Sequence, residues 1–189
     1  MSQSIQLPLT AEAIQQLKAG DVVTLTGPLL TARDAAHKRL IEAMAYGEPP
    51  PIPLDGEVIY YVGPAPGKPN AAIGPAGPTT SGRMDPYTLP LLELGVKGFI
   101  GKGYRNDEVK RGLVEHGAVY FAAVGGAAAL LARQIKSAEV VAYPDLGTEA
   151  IRRLMVEDFP VIVVNDSHGG DAYAAGREQF KNHAKSTAD

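Results

Sequence analysis

The sequence predicts an α/β domain with a mixed, partly parallel sheet, and three observations carry that expectation. From Val96 onward, short apolar runs alternate with helix-length segments joined by tight connections. The runs at 57–62 and 160–165 are rich in β-branched and aromatic residues, which suit a pleated, buried surface. Glycine or proline marks the changeovers, at Gly20, Gly27-Pro28, Gly63, Gly95 and Gly117. At 189 residues the chain fits one domain, 1–189, whose last stretch from residue 172 is polar.

Taken in order, Ala11 to Ala19 reads as a short helix closed by Gly20, and Asp21 to Thr26 as a strand bounded by Gly27-Pro28. A second helix opens at Thr31-Ala32-Arg33-Asp34, with Thr31 as its N-cap and Asp34 three residues on in a variant capping box. Its apolar stripe, Ala36, Leu40, Ile41 and Met44, extends back to His37 and Arg33. Arg33 therefore stands at a helix N-terminus, where the dipole disfavours a cation, and leans toward the buried side. A buried carboxylate partner or a bound anion would resolve this, as would an exposed guanidinium whose stem covers the core. His37 by itself reads as a hydrogen-bonded structural histidine.

Tyr46 to Pro53 is a stiff, proline-rich connection, and Glu57 to Val62 a strand. Gly63 to Pro78 is a long Pro/Gly loop, of the kind that is functional or mobile. It leads into Gly74 to Asp85, where Thr79, Thr80, Ser81 and Arg83 crowd hydroxyls and a guanidinium before a helix start. Asp85 can cap that helix and Pro86 fits its first turn. Such a stretch can hold a carboxylate or phosphate; it can also be an ordinary loop with a solvated arginine. The helix runs through Leu94 and stops at Gly95. Val96 to Ile100 is then a strand ending in Gly101-Lys102-Gly103, a candidate anion contact or a plain turn. It is not a P-loop, since Gly103 follows Lys102.

A helix with an acidic first turn begins at Asn106 and ends at Gly117. Ala118 to Val124 is a strand, Gly125-Gly126 a crossover and Ala127 to Ile135 a helix. Glu139 to Tyr143 and Pro160 to Asn165 are strands, with a helix from Glu149 to Val156 between them. Asp166 to Gly170 is a turn, and the remainder is helical or frayed.

Composition narrows the chemistry. There is no cysteine, so thiolate nucleophiles, disulfides and Cys-ligated centres are excluded within this chain. Four histidines without an HExxH pattern give no metal site. A net charge of −3 gives no reason to expect nucleic acid. No run approaches the ~20 apolar residues of a membrane span, and the N-terminus lacks a signal peptide's pattern, so a cytoplasmic location is expected.

Ordered motifs between 20 and 170 resemble the β subunit, or C-terminal-domain equivalent, of class I iron–sulfur-dependent fumarate hydratase and L(+)-tartrate dehydratase. They are Gly-Asp-Val-Val-Thr-Leu-Thr-Gly at 20–27, Thr-Ala-Arg-Asp-Ala-Ala-His at 31–37 and Gly-Pro-Thr-Thr-Ser-Gly-Arg-Met-Asp at 77–85. Gly-Lys-Gly at 101–103, Gly-Ala-Val-Tyr at 117–120, Gly125-Gly126-Ala127-Ala128 and Val156-Glu157-Asp158-Phe159-Pro160 follow. The resemblance implies a swivelling β/β/α domain and reversible hydration of a dicarboxylate. It also implies a 4Fe–4S cluster ligated by three cysteines of a partner α subunit and by nothing in this chain. By motif position, Arg33, Arg83 and Lys102 would clamp substrate with Thr80 beside them, Thr79 would be the base, and Asp34 and His37 would support the site. A homodimer or an α2β2 assembly is compatible with this; a nucleic-acid or membrane partner is not expected.

Two departures bear on the substrate. Ile151-Arg152 stands where many relatives carry Trp, and residues 63–76 are shorter and richer in proline than in many tartrate dehydratase subunits. Thr31 to Asp34 and Gly82 to Thr88 lean toward fumarate hydratase. A different class of reading is a non-catalytic anion-binding domain that kept the pocket and lost its partner.

Overall fold

The apolar runs 58–60, 98–101 and 119–121 are buried throughout, and this sets the architecture. The structure, a computed structural model, describes residues 3–67, 69, 71–123 and 128–186. Its strands are β1 (Gln3–Gln6), β2 (Val22–Thr31), β3 (Val58–Tyr60), β4 (Gly98–Gly101), β5 (Val119–Ala122), β6 (Ile135–Ala142) and β7 (Ile151–Asn165). Its helices are α1 (Ala11–Gln16), α2 (Asp34–Ala45), α3 (Asp85–Glu93), α4 (Asp107–Glu115), α5 (Ala128–Arg133) and α6 (Ala172–Ser186). Two 3-10 turns cover Ser81–Met84 and Pro144–Glu149. The Gly125-Gly126 crossover expected from the sequence lies outside the described residues.

β2, β3, β4 and β5 pair in parallel, in that order. β7 runs antiparallel to both β5 and β2, so the ladder returns to its start and five strands form a closed ring. β1 adds to β2 in parallel and β6 to β7 antiparallel, outside the ring. The mixed, partly parallel sheet expected from the sequence is therefore present. Alternate residues divide between two cores. Val58, Tyr60, Ile100, Val119 and Phe121 belong to one, and Ile59, Tyr61, Phe99 and Tyr120 to the other, beneath α2, α3 and α4. Period-2 alternation with both faces buried is what parallel strands covered by helices require.

Several expectations need correction. β2 does not stop at Gly27-Pro28 but continues to Thr31. Gly27, at φ 130°, lets the strand pass Leu7, whose carbonyl oxygen a Cβ there would approach to 2.8 Å. Pro28 falls where the neighbour along that edge changes from β1 to β3, a place where a strand tolerates proline. The expected helix from Glu149 to Val156 is the first part of β7, because β2 and β6 pair with its two edges. Thr31 does not cap α2; Arg33 is the N-cap, with no side-chain cap bond. The Thr31 hydroxyl instead accepts from Arg152 N at 3.0 Å and ties β2 to β7. Asp85 lies inside α3, with Met84 at the N-cap. The polar C-terminal stretch is helical as α6.

Candidate functional site

Three consecutive parallel strands deliver the predicted residues to one rim. Arg33 and Asp34 follow the end of β2, Tyr61 follows β3, and Lys102 follows β4. Thr79 to Ser81 run between Tyr61 and Lys102 as a short extra strand. Thr79 N donates to Tyr61 O at 2.7 Å, Lys102 N to Thr79 O at 3.3 Å and Ser81 N to Lys102 O at 2.8 Å. Thr80 faces Lys102 in a parallel bridge. The region beyond the carboxyl ends of parallel strands is where open backbone and loop side chains meet, and where α/β folds bind ligands.

This close approach has local causes. Gly101 is needed because a Cβ there would collide with Ser81 Oγ. The Tyr120 hydroxyl donates to Gly103 O at 2.9 Å, and its oxygen accepts from Ser81 Oγ at 2.8 Å. The two glycine-flanked segments are thus pinned together from below. Thr80, Arg83 and Lys102 are exposed, and Thr79 is half-buried.

Arg83 emerges from the 3-10 turn, and its Nη2 lies 2.8 Å from Asp34 Oδ2. The same oxygen is 3.4 Å from Arg33 Nε. Glu149 completes the group: its Oε1 is 3.4 Å from Arg33 Nε, and its Oε2 accepts from Ala35 N at 2.7 Å. Of the resolutions open for Arg33, the internal carboxylate is the one built. Glu149 also takes over the helix-capping role assigned to Thr31. The structure therefore brings together Arg33, Asp34 and Arg83 on one side and Thr79, Thr80 and Lys102 on the other. Gly63 is next to Arg33, and a Cβ on it would come within 2.9 Å of Arg33 Nη1.

His37 is placed beneath this rim, fully buried. Its Nδ1 is 2.9 Å from Arg33 O, so Nδ1 carries the proton and Nε2, which has no partner among the described residues, is bare. The rings of Tyr61 and Tyr87 pack at 5.5 and 5.8 Å. Burial pushes its pKa down from 6.5 to about 4, with the bond to Arg33 O opposing the shift. A folded pKa below the unfolded one means that acid favours the unfolded chain. The neutral-His37 state is undiminished above pH 6.5 and loses about 3 kcal/mol of stability as pH falls from 6.5 through 4. Urea unfolding of wild type and His37→Gln at pH 7 and pH 4 should show the wild type losing more by that amount. Equal losses would mean that the fold does not hold the His37 pKa below its unfolded value.

Two residues at the site escaped the sequence reading. Glu149 was hidden in an expected helix. Arg105 was not singled out, yet its side chain is fully buried. Its Nε lies 2.6 Å from Asp85 Oδ1, Nη1 3.0 Å from the Tyr61 hydroxyl, and Nη2 bonds Thr88 Oγ1. The guanidinium also covers the rings of Tyr61, Phe99 and Tyr120. Asp85, read as a cap, is the carboxylate that makes this burial tolerable. Nothing in the sequence around Tyr104-Arg105-Asn106 signals it.

The chain has no cysteine, and among the described residues no group of three or more His, Asp or Glu side chains is placed to hold a metal ion. These residues do not fit an iron–sulfur cluster as ligands. No helix among them is long and apolar enough to cross a membrane.

The family described as fumarase C-terminus matches residues 2–176. The chain belongs to the fumarase C-terminus family. Among relatives of this family member, "Fumarate hydratase 2" of Leishmania major is 40% identical over 166 residues, 86% of this chain and 29% of that protein. "Fumarate hydratase class I, aerobic" of Escherichia coli is 40% identical over 162 residues, 85% of this chain and 30% of that protein. The "Putative L(+)-tartrate dehydratase subunit beta" of Methanocaldococcus jannaschii is 40% identical over 171 residues, covering 87% of this chain and 88% of that protein. The fumarase C-terminus chain thus spans about 30% of the length of these two fumarate hydratases.

Proposed function

We propose that this chain is the β subunit of a cytoplasmic class I fumarate hydratase, which hydrates fumarate reversibly to (S)-malate together with an α subunit. The supporting observation is the convergence, beyond three parallel strand ends, of the segments that carry Arg33, Arg83, Lys102, Thr79 and Thr80. Fumarate and malate carry two carboxylates. Guanidinium groups offer paired donors to each, and Lys102 adds a point charge between glycines, where the backbone leaves room for a ligand. Three cations against Asp34 and Glu149 leave one net positive charge, and a dianion turns that balance negative. A further positive group on the partner side is therefore part of the proposal. A 4Fe–4S cluster held by the α subunit would supply Lewis-acid polarisation of the substrate oxygens.

Within this chain, Thr79 has both backbone polar groups engaged, by Tyr61 and Lys102, so only its hydroxyl is free to rotate. In this proposal that hydroxyl moves the proton at the substrate carbon next to the forming or breaking C–O bond. A threonine hydroxyl is too weak a base alone, and a carboxylate from the partner would have to draw off its proton. Thr80 and Lys102 orient the substrate, and Asp34 keeps the two arginines together.

A second reading, L(+)-tartrate dehydratase, is favoured by the match across 88% of a relative described as a putative β subunit. Anaerobic coexpression with a cluster-bearing α subunit tests both. Turnover of malate and fumarate is expected from the complex, in a homodimeric or α2β2 arrangement, and none from the isolated chain. Preferential turnover of tartrate would select the second reading. A cluster-loaded complex inert toward both acids would refute the proposal and leave an anion-binding domain.

A further inference from the structure

We infer that Glu149 is a positioning residue for the substrate-binding guanidinium of Arg33. This rests on the proposed dicarboxylate site. Glu149 divides its carboxylate between two tasks. Oε2 accepts from Ala35 N at the start of α2, and Oε1 lies 3.4 Å from Arg33 Nε. Arg33 is the N-cap of α2 and has no cap bond of its own, so the helix start depends on this distant carboxylate. The same contact sets which edge of the guanidinium is used. Nε meets Asp34 and Glu149, and among the described residues neither Nη1 nor Nη2 makes a hydrogen bond to a carboxylate. An arginine fixed by Nε presents two parallel N–H donors, the fork that matches a carboxylate.

Gly63 provides the opposite wall. A Cβ there would come within 2.9 Å of Arg33 Nη1 and 3.0 Å of Cδ, so the side chain is held between Glu149 and the Gly63 backbone. The carboxylate comes from the 3-10 turn just before β7, far from Arg33 in sequence, and the glycine from the segment after β3. Neither carries the chemistry, and both determine where one of its charges sits.

Glu149→Gln separates positioning from capping. Glutamine's amide oxygen still accepts from Ala35 N, while the negative charge facing Arg33 Nε is gone. In the complex with the cluster-bearing partner, KM for malate should rise about tenfold, with kcat changed less than about threefold, as for lost ground-state binding. Thermal stability and cluster content should match wild type, and the malate-induced rise in melting temperature should shrink. Gly63→Ala displaces Arg33 without altering any charge and should give the same KM signature. If both variants keep wild-type KM and malate shift, or bind malate more tightly, the positioning role is wrong. If the wild-type complex turns over neither malate nor tartrate, it is the dicarboxylate reading that has failed.

Discussion

Arg105→Ala is expected to destabilise the protein by about 3–5 kcal/mol, the usual cost of removing one partner of a buried ion pair. Three groups lose their donor at once: the Asp85 carboxylate, the Tyr61 hydroxyl and Thr88 Oγ1. Asp85 suffers most, because its side chain is itself 8% exposed and among the described residues retains only the Asn106 N–H. Against a total stability of about 5–15 kcal/mol this is a large fraction, and the urea midpoint should fall accordingly. Replacing Arg105 and Asp85 together by leucine and methionine should cost less than Arg105→Ala alone, since no buried charge is then stranded. A loss under about 1 kcal/mol for Arg105→Ala would show that Asp85 reaches water without rearrangement. Asp85 directly follows the turn that carries Arg83, so the damage should spread to the rim.

Arg83→Lys should lower kcat/KM of the assembled enzyme by about 10- to 100-fold while leaving its assembly and melting temperature unchanged. The side chain is 53% exposed and its pair with Asp34 is partly solvated, so little folding energy is at stake. Lysine keeps the charge and loses the fork, and each charge-assisted hydrogen bond missing from the transition state costs about 1.5–3 kcal/mol. Steady-state kinetics on malate, with melting curves of the same preparations, make the comparison. Turnover near wild type would remove Arg83 from substrate binding.

The parallel half of the fold was legible because β3, β4 and β5 are short, apolar and separated by helices with ordinary stop signals. β7 was not. Glu149 to Val156 is made of good helix formers, and pairing on both edges overrides such propensities. Its alternation is also interrupted. Leu154 and Val156 keep one phase and Phe159, Val161 and Val163 the other, with Asp158 at φ 51° between them. A bulge of this kind inserts a residue and shifts the period, so an unbroken strand reads as two pieces. The Gly27-Pro28 break in β2 lies opposite the same irregularity.

The rim was more legible than the support beneath it. Arg33, Arg83, Lys102 and Thr79 lie in motifs whose glycines, prolines and hydroxyls mark them locally. Glu149, Arg105 and Tyr120 act through contacts with residues distant in sequence, and no local signal announces such a contact. The charge conflict at Arg33 could be seen from its helix position, although the carboxylate that resolves it could not.

The closed ring has a kinetic consequence. Glu149 reaches α2 across 114 residues, and β2 meets β7 over a comparable span. Contacts of that range form slowly, because the loop entropy is lost before any pairing is gained. A chain with β3, β4 and β5 already in register would have Thr79 and Lys102 near each other, while Arg33 still swung free. Affinity for a dicarboxylate should therefore appear late in refolding, with the closure of β7 onto β2, and the ligand would report the last step of folding.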